Sequence, residues 1–178
     1  MYDVGVSVMP STQYSESDGT VRTVEGIVLG VHVAAGSVGL LLGPYLMLTA
    51  KRRGPHTRLG TVYHWVFVAL FVSAVGLAII NPDVWWLAIV GAFSYAFALL
   101  GFAAGKRRWR GWLVHHVAGQ GGSYIAMTTA LLVVNLGRTT ALAWIVPTVV
   151  GSPLLVWLTN EIEAGRRPKR RVPATLAR

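Results

Sequence analysis

The sequence predicts an all-α integral membrane protein, a single bundle of five transmembrane helices with its N-terminus outside and its C-terminus in the cytoplasm. Three observations predict it. Hydrophobic residues make up 53% of the 178 positions and charged residues only 13%, with a mean hydropathy of +0.53; soluble domains carry about 25% charged residues. Five apolar stretches follow one another between short polar loops, each of about 20 residues or more and so able to cross a ~30 Å hydrocarbon core at 1.5 Å per residue. The third observation is where the basic residues fall.

Residues 1–21 are polar, without periodicity, and read as a loosely ordered tail with no cleavable signal peptide. The bundle occupies 22–163. Its spans are expected at 24–49, 59–80, 84–104, 111–134 and 139–160, and residues 164–178 form a basic cytoplasmic tail. Helix-breaking residues separate the spans: Gly54-Pro55, Asn81-Pro82-Asp83, and the turn from Asn135 to Arg138. Five spans place the first loop, the third loop and the C-terminus on one side. Those segments hold fourteen of the sixteen basic residues, leaving only Arg22 and Arg138 opposite. The positive-inside rule makes that side cytoplasmic, which locates the protein in a bacterial cytoplasmic (inner) membrane. Trp85 and Trp86 then fall at the outer edge, and Trp109, Trp112 and Trp157 at the inner one, as an aromatic belt requires.

A net charge of +9 would suit nucleic acid, but basic clusters placed between apolar runs argue for topology and anionic lipid instead. With no cysteine, the chain has no disulfides, thiolate metal sites or cysteine nucleophiles. It has no phosphate-cradling glycine loop, no His-Glu-x-x-His motif and no serine-nucleophile elbow. Its acids avoid the span centres, Glu25, Glu161 and Glu163 lying at the ends, which argues against a pump built on a buried carboxylate.

Chemistry-bearing residues concentrate at the start of the fourth span, in His115, His116, Gly119, Gln120, Gly122, Ser123 and Tyr124. Polar groups at membrane depth are costly and often mark a working site. His64 lies six residues beyond Arg58 and His116 six beyond Arg110, so both imidazoles sit about 9 Å into the cytoplasmic leaflet. Two histidines at one level are the minimum for binding the iron of a b-type haem, with His64 facing His115 or His116. His115, Gly119, Gly122 and Ala126 form a small-residue stripe that a porphyrin needs, which favours His115; the polar stripe of His116, Gln120, Ser123 and Met127 favours His116 as part of a relay. The competing expectation is that these histidines bond between helices and hold no cofactor. His32 shares a face with Gly36, Gly39 and Gly43, and Thr128, Thr129 or Thr148 lies at its level. His56 and Arg58 suit a phosphate or lipid headgroup, while Thr57 is placed to cap the second helix. Asn160 and Glu161 lie near the level of His64. Pro44, Pro147 and Pro153 fall inside spans and imply kinks.

These residues resemble a bacterial family of polytopic membrane proteins without an assigned function. The resemblance rests on His32 through Gly43-Pro44, on His56, Arg58, Gly60 and Tyr63, and on His115 or His116 with Ser123-Tyr124. Thr57 departs from the pattern, in which His and Arg are adjacent. The resemblance implies no activity; it implies a polar set of His32, His56 and one of His115 and His116. Small membrane b-type cytochromes are similar only in span number and histidine placement. Two functions are therefore expected to compete. One is a one-haem electron-transfer protein working with quinone or a membrane partner. The other is a non-enzymatic carrier or accessory subunit, whose glycine stripes also permit oligomers.

Overall fold

A computed structural model describes residues 11–49 and 54–166. Among these it is entirely helical: α1 (Ser11–Leu48), α2 (Pro55–Ile80), α3 (Trp85–Arg107), α4 (Trp112–Leu136) and α5 (Ala141–Arg166), with a single 3-10 turn at Pro82–Val84 before α3. All five helices are long and apolar enough to cross a membrane. Their surfaces agree: Leu41, Leu48, Ile79 and Val150 are each more than two-thirds exposed, as lipid-facing residues are.

Helix ends follow local chemistry. Pro55 occupies the first turn of α2, where its missing N–H costs nothing, after Gly54 at φ +118°. The helix thus starts four residues before the expected span, and His56 and Thr57 belong to its first turn. Thr57 does not cap it; neither α2 nor α4 has a side-chain N-cap bond. α4 begins after Gly111, whose φ of +76° suits glycine. The polar stretch 11–21, expected as part of a loose tail, is instead the start of α1. An Asp18–Arg22 ion pair of 3.2 Å and a Thr23 hydroxyl bonded to the Gly19 carbonyl support this turn. α1 and α5 run through Pro44, Pro147 and Pro153. The cluster Lys51-Arg52-Arg53, residues 1–10 and the tail from 167 lie outside the described residues.

Each helix packs on its neighbour in sequence, and α1 also meets α4, closing a ring of α1 to α4. α5 lies outside the ring and packs on α4 alone. Consecutive helices are antiparallel, so loops 49–54 and 108–111 share one end, here termed the basic end. The core gathers Leu46, Tyr63, Phe67, Ala98 and Met127 from the four ring helices.

Glycines set the close approaches. A methyl group on Gly119 of α4 would collide with the backbone of Gly101 and lie 2.7 Å from the Phe97 carbonyl oxygen. On Gly43 of α1 it would lie 2.7 Å from the Tyr124 ring, and on Gly39 3.1 Å from the Met127 sulfur. The Gly39-x-x-x-Gly43 spacing thus brings α1 onto α4 within the chain, and Tyr124 reaches back to the Leu40 carbonyl at 3.3 Å.

Candidate functional site: a cavity at the basic end

A cavity of about 350 Å³ opens at the basic end and is lined by all five helices. α1 contributes Gly43, Leu46 and Met47, and α2 contributes His56, Thr57, Gly60 and Tyr63. From α3 come Phe102, Gly105 and Lys106, with Arg108 just past its end; from α4 Trp112, Leu113, His116, Val117, Gln120 and Gly121; from α5 Leu155, Leu158 and Ile162. The wall is mostly apolar, with a few polar groups converging on it, as ligand pockets usually are. α1 and α5 both line it yet do not pack on each other. The cavity is therefore flanked on that side by two helices whose outer faces are apolar and exposed.

Three polar groups define its interior. His116 Nδ1 donates to the Gly101 carbonyl at 2.7 Å, which orients the ring and leaves Nε2 as the remaining nitrogen. Its ring lies 6.4 Å from that of His56 in an edge-on arrangement. Gln120 donates to the Ala98 carbonyl at 3.3 Å, which leaves its side-chain oxygen uncommitted by that bond. Tyr63 is 3% exposed, and its hydroxyl makes no hydrogen bond. Ser123 lies close enough to interact with it, but the Ser123 hydroxyl donates its own proton to the Gln120 carbonyl at 2.8 Å. A buried hydroxyl left without a partner costs about 1–3 kcal/mol, so an acceptor brought into the cavity would be favoured beside Tyr63.

Cations surround the mouth. Lys106 Nζ lies 5.3 Å from the centre of the Phe102 ring and the Arg108 guanidinium 5.2 Å from that of Trp112, both rings belonging to the cavity wall. A shallow depression sharing Thr57 and Arg108 with the cavity adds Arg58.

The histidines separate in space. His64 does not line the cavity; its ring is stacked on Phe102 at 4.0 Å, and its buried Nδ1 has no hydrogen-bond partner. His115 is exposed and turned back to the Gly111 carbonyl at 3.0 Å and to Trp109. The structure therefore does not assemble His64 with His115 or His116. The α2 imidazole beside His116 is that of His56, eight residues before His64, with its ring 6.4 Å away; a count from the nearest arginine does not say which imidazoles meet. Gly119 and Gly122 lie against Gly101 and Phe97 of α3. His32 Nδ1 bonds to Ser73 of α2 at 2.8 Å, not to a threonine of α4 or α5; Thr128 and Thr129 bond to carbonyls of their own helix. Asn160 and Glu161 are exposed on α5 and take no part in the cavity. Tyr63, Lys106 and Arg108 are the site residues that sequence reasoning passed over. Tyr63 stood in the resemblance motif, and nothing else in the sequence marked it.

Among the described residues no three His, Asp or Glu side chains are grouped to hold a metal ion. Among the described residues, fold and site define an all-helical protein, with five helices that fit a multi-pass membrane protein and a ligand-sized cavity at its basic end. Compared with known protein families, curated proteins and solved structures, the chain matches none.

Proposed function

We propose that this is a membrane-embedded binding protein, a carrier or accessory subunit, that takes an amphipathic molecule from the bilayer into the basic-end cavity. The basic end faces the cytoplasm in this reading, in keeping with the positive-inside distribution of charge. One observation carries the reading. The cavity combines an apolar wall, a flank between α1 and α5 that their packing does not seal, and a buried Tyr63 hydroxyl without a partner. An acyl or prenyl chain would lie between Met47 and Leu158, and its polar end would meet Tyr63, His116 and Gln120. A photoactivatable phospholipid with a diazirine on its acyl chain, reconstituted with the protein, tests this. Adducts at Leu46, Met47, Leu155 or Leu158 are expected; adducts confined to outward-facing residues would reject the cavity as a binding site.

A second reading keeps electron transfer but changes the ligands. His116 is held by a backbone carbonyl, the support that metal-bound imidazoles commonly have, and His56 is its near neighbour. A haem b at this site would be held by His56 and His116 and would supply one-electron chemistry. A Soret band that persists in the His64→Ala protein and disappears in His116→Ala would support it.

A further inference from the structure

We infer that the cavity selects an anionic amphiphile, a lipid with a phosphate or carboxylate headgroup, and holds that headgroup at its mouth between Lys106 and Arg108. The inference rests on the binding reading above and adds the charge of the ligand.

Among the described residues no carboxylate pairs with Lys106 or Arg108. Among the described residues the only carboxylate–cation pair is Asp18 with Arg22, in the first turns of α1. The chain has only seven acids, and apart from Glu161 and Glu163 none belongs to a segment at the basic end. Those two are exposed, flank Ile162 on α5, and form no ion pair with a cation among the described residues. Part of the charge has an ordinary use, since Lys106 and Arg107 end α3 where its dipole favours cations. That use does not explain why Lys106 and Arg108 lie against Phe102 and Trp112, on the cavity wall, while Arg107 and Arg110 do not line it.

Backbone polarity points the same way. α2 and α4 both start at this end, and the first-turn residues His56, Thr57, Trp112 and Leu113 line the cavity. Neither helix has a side-chain N-cap bond, so among the described residues no capping carboxylate or hydroxyl meets their N-terminal dipoles. Deeper in, Tyr63 supplies a buried hydroxyl donor with no acceptor of its own. A headgroup at the mouth and an ester or hydroxyl below it would satisfy both levels at once. Fixed positive charge at the mouth and an apolar wall between α1 and α5 exclude a free polar anion as the better fit, because the wall would go unused.

The test is a titration of the detergent-purified protein with phosphatidic acid, with phosphatidylcholine of identical chains and with inorganic phosphate, read as lipid-bound peaks in native mass spectra. Phosphatidic acid is expected to bind at least tenfold more tightly than phosphatidylcholine. Lys106→Gln with Arg108→Gln should weaken phosphatidic acid about 25-fold, at about 1 kcal/mol or fivefold for each cation near a lipid headgroup, and leave phosphatidylcholine unchanged. The matched control, Arg107→Gln with Arg110→Gln, removes equal charge from the same segment and should change binding less than twofold. Equal weakening by the control would reduce the preference to general surface charge and overturn the inference. So would equal affinity for the two lipids, which leaves the cavity itself standing. Binding of neither lipid would reject the cavity reading. Inorganic phosphate competing as strongly as phosphatidic acid would show a free anion as the ligand and overturn the lipid assignment.

Discussion

Replacing Gly119 by alanine asks whether the tight α3–α4 contact organises the bundle. The added methyl would lie 2.7 Å from both the Phe97 carbonyl oxygen and the Gly101 Cα, where ordinary contact begins at 3.4 Å. All of these obstacles are backbone, and the Gly101 amide nitrogen lies nearer still, so no rotamer change relieves them and the helices must part. Overpacking of this kind costs about 1–3 kcal/mol. Parting also stretches the 2.7 Å bond from His116 to the Gly101 carbonyl, a further cost of about 0.6 kcal/mol for an interhelical bond in a bundle. Alanine's better helix propensity returns less than about 1 kcal/mol. A net loss of about 1–3 kcal/mol is expected in reversible unfolding by SDS in mixed micelles, followed by tryptophan fluorescence. Gly30→Ala is the control, since a methyl there meets nothing within 4 Å, and its stability should be unchanged or slightly raised. If Gly119→Ala is as stable as Gly30→Ala, the α3–α4 interface is not as close as described here.

Tyr63→Phe removes a buried hydroxyl without a partner, so the lipid-free protein should be unchanged or more stable by up to about 1 kcal/mol in the same unfolding assay; a loss of that size would mean the hydroxyl has a partner. A double-mutant cycle of His32→Ala and Ser73→Ala should give a coupling of about 0.6 kcal/mol, whereas zero coupling would remove the α1–α2 hydrogen bond. Because the chain has no native cysteine, single substitutions report topology cleanly. Asp83→Cys should react with an impermeant maleimide in intact cells and Arg110→Cys only after lysis; the reverse pattern would invert the proposed orientation.

The sequence was most informative about the axis of each helix and least about its azimuth. Runs of apolar residues between Gly54-Pro55, Pro82 and Gly137 announce five helices, because length and breakers are local properties. Position along each helix was legible too, His64 and His116 each lying six residues beyond an arginine. Which way they face was not, because these helices are apolar nearly all round and lack the polar face that reveals orientation in a soluble bundle. His115 and His116 are adjacent in sequence, and only the carbonyl of Gly101, on another helix, distinguishes them. The glycines of α4 were legible as a close-approach face, but the sequence does not say what approaches. Here it is α3, whose Gly101 and Phe97 lie against Gly119 and Gly122. The cavity draws on all five helices, so no single stretch encodes it. Tyr63 becomes notable only when it is found buried and unbonded.

The most direct test of the central claim is a native mass spectrum of the protein released from its own membranes in mild detergent, with the retained lipid identified by fragmentation. One acidic lipid per chain is expected, retained in Arg107→Gln/Arg110→Gln and lost in Lys106→Gln/Arg108→Gln. A bare protein, or lipids retained in the bulk proportions of the membrane by all three proteins, would contradict a selective cavity at the basic end.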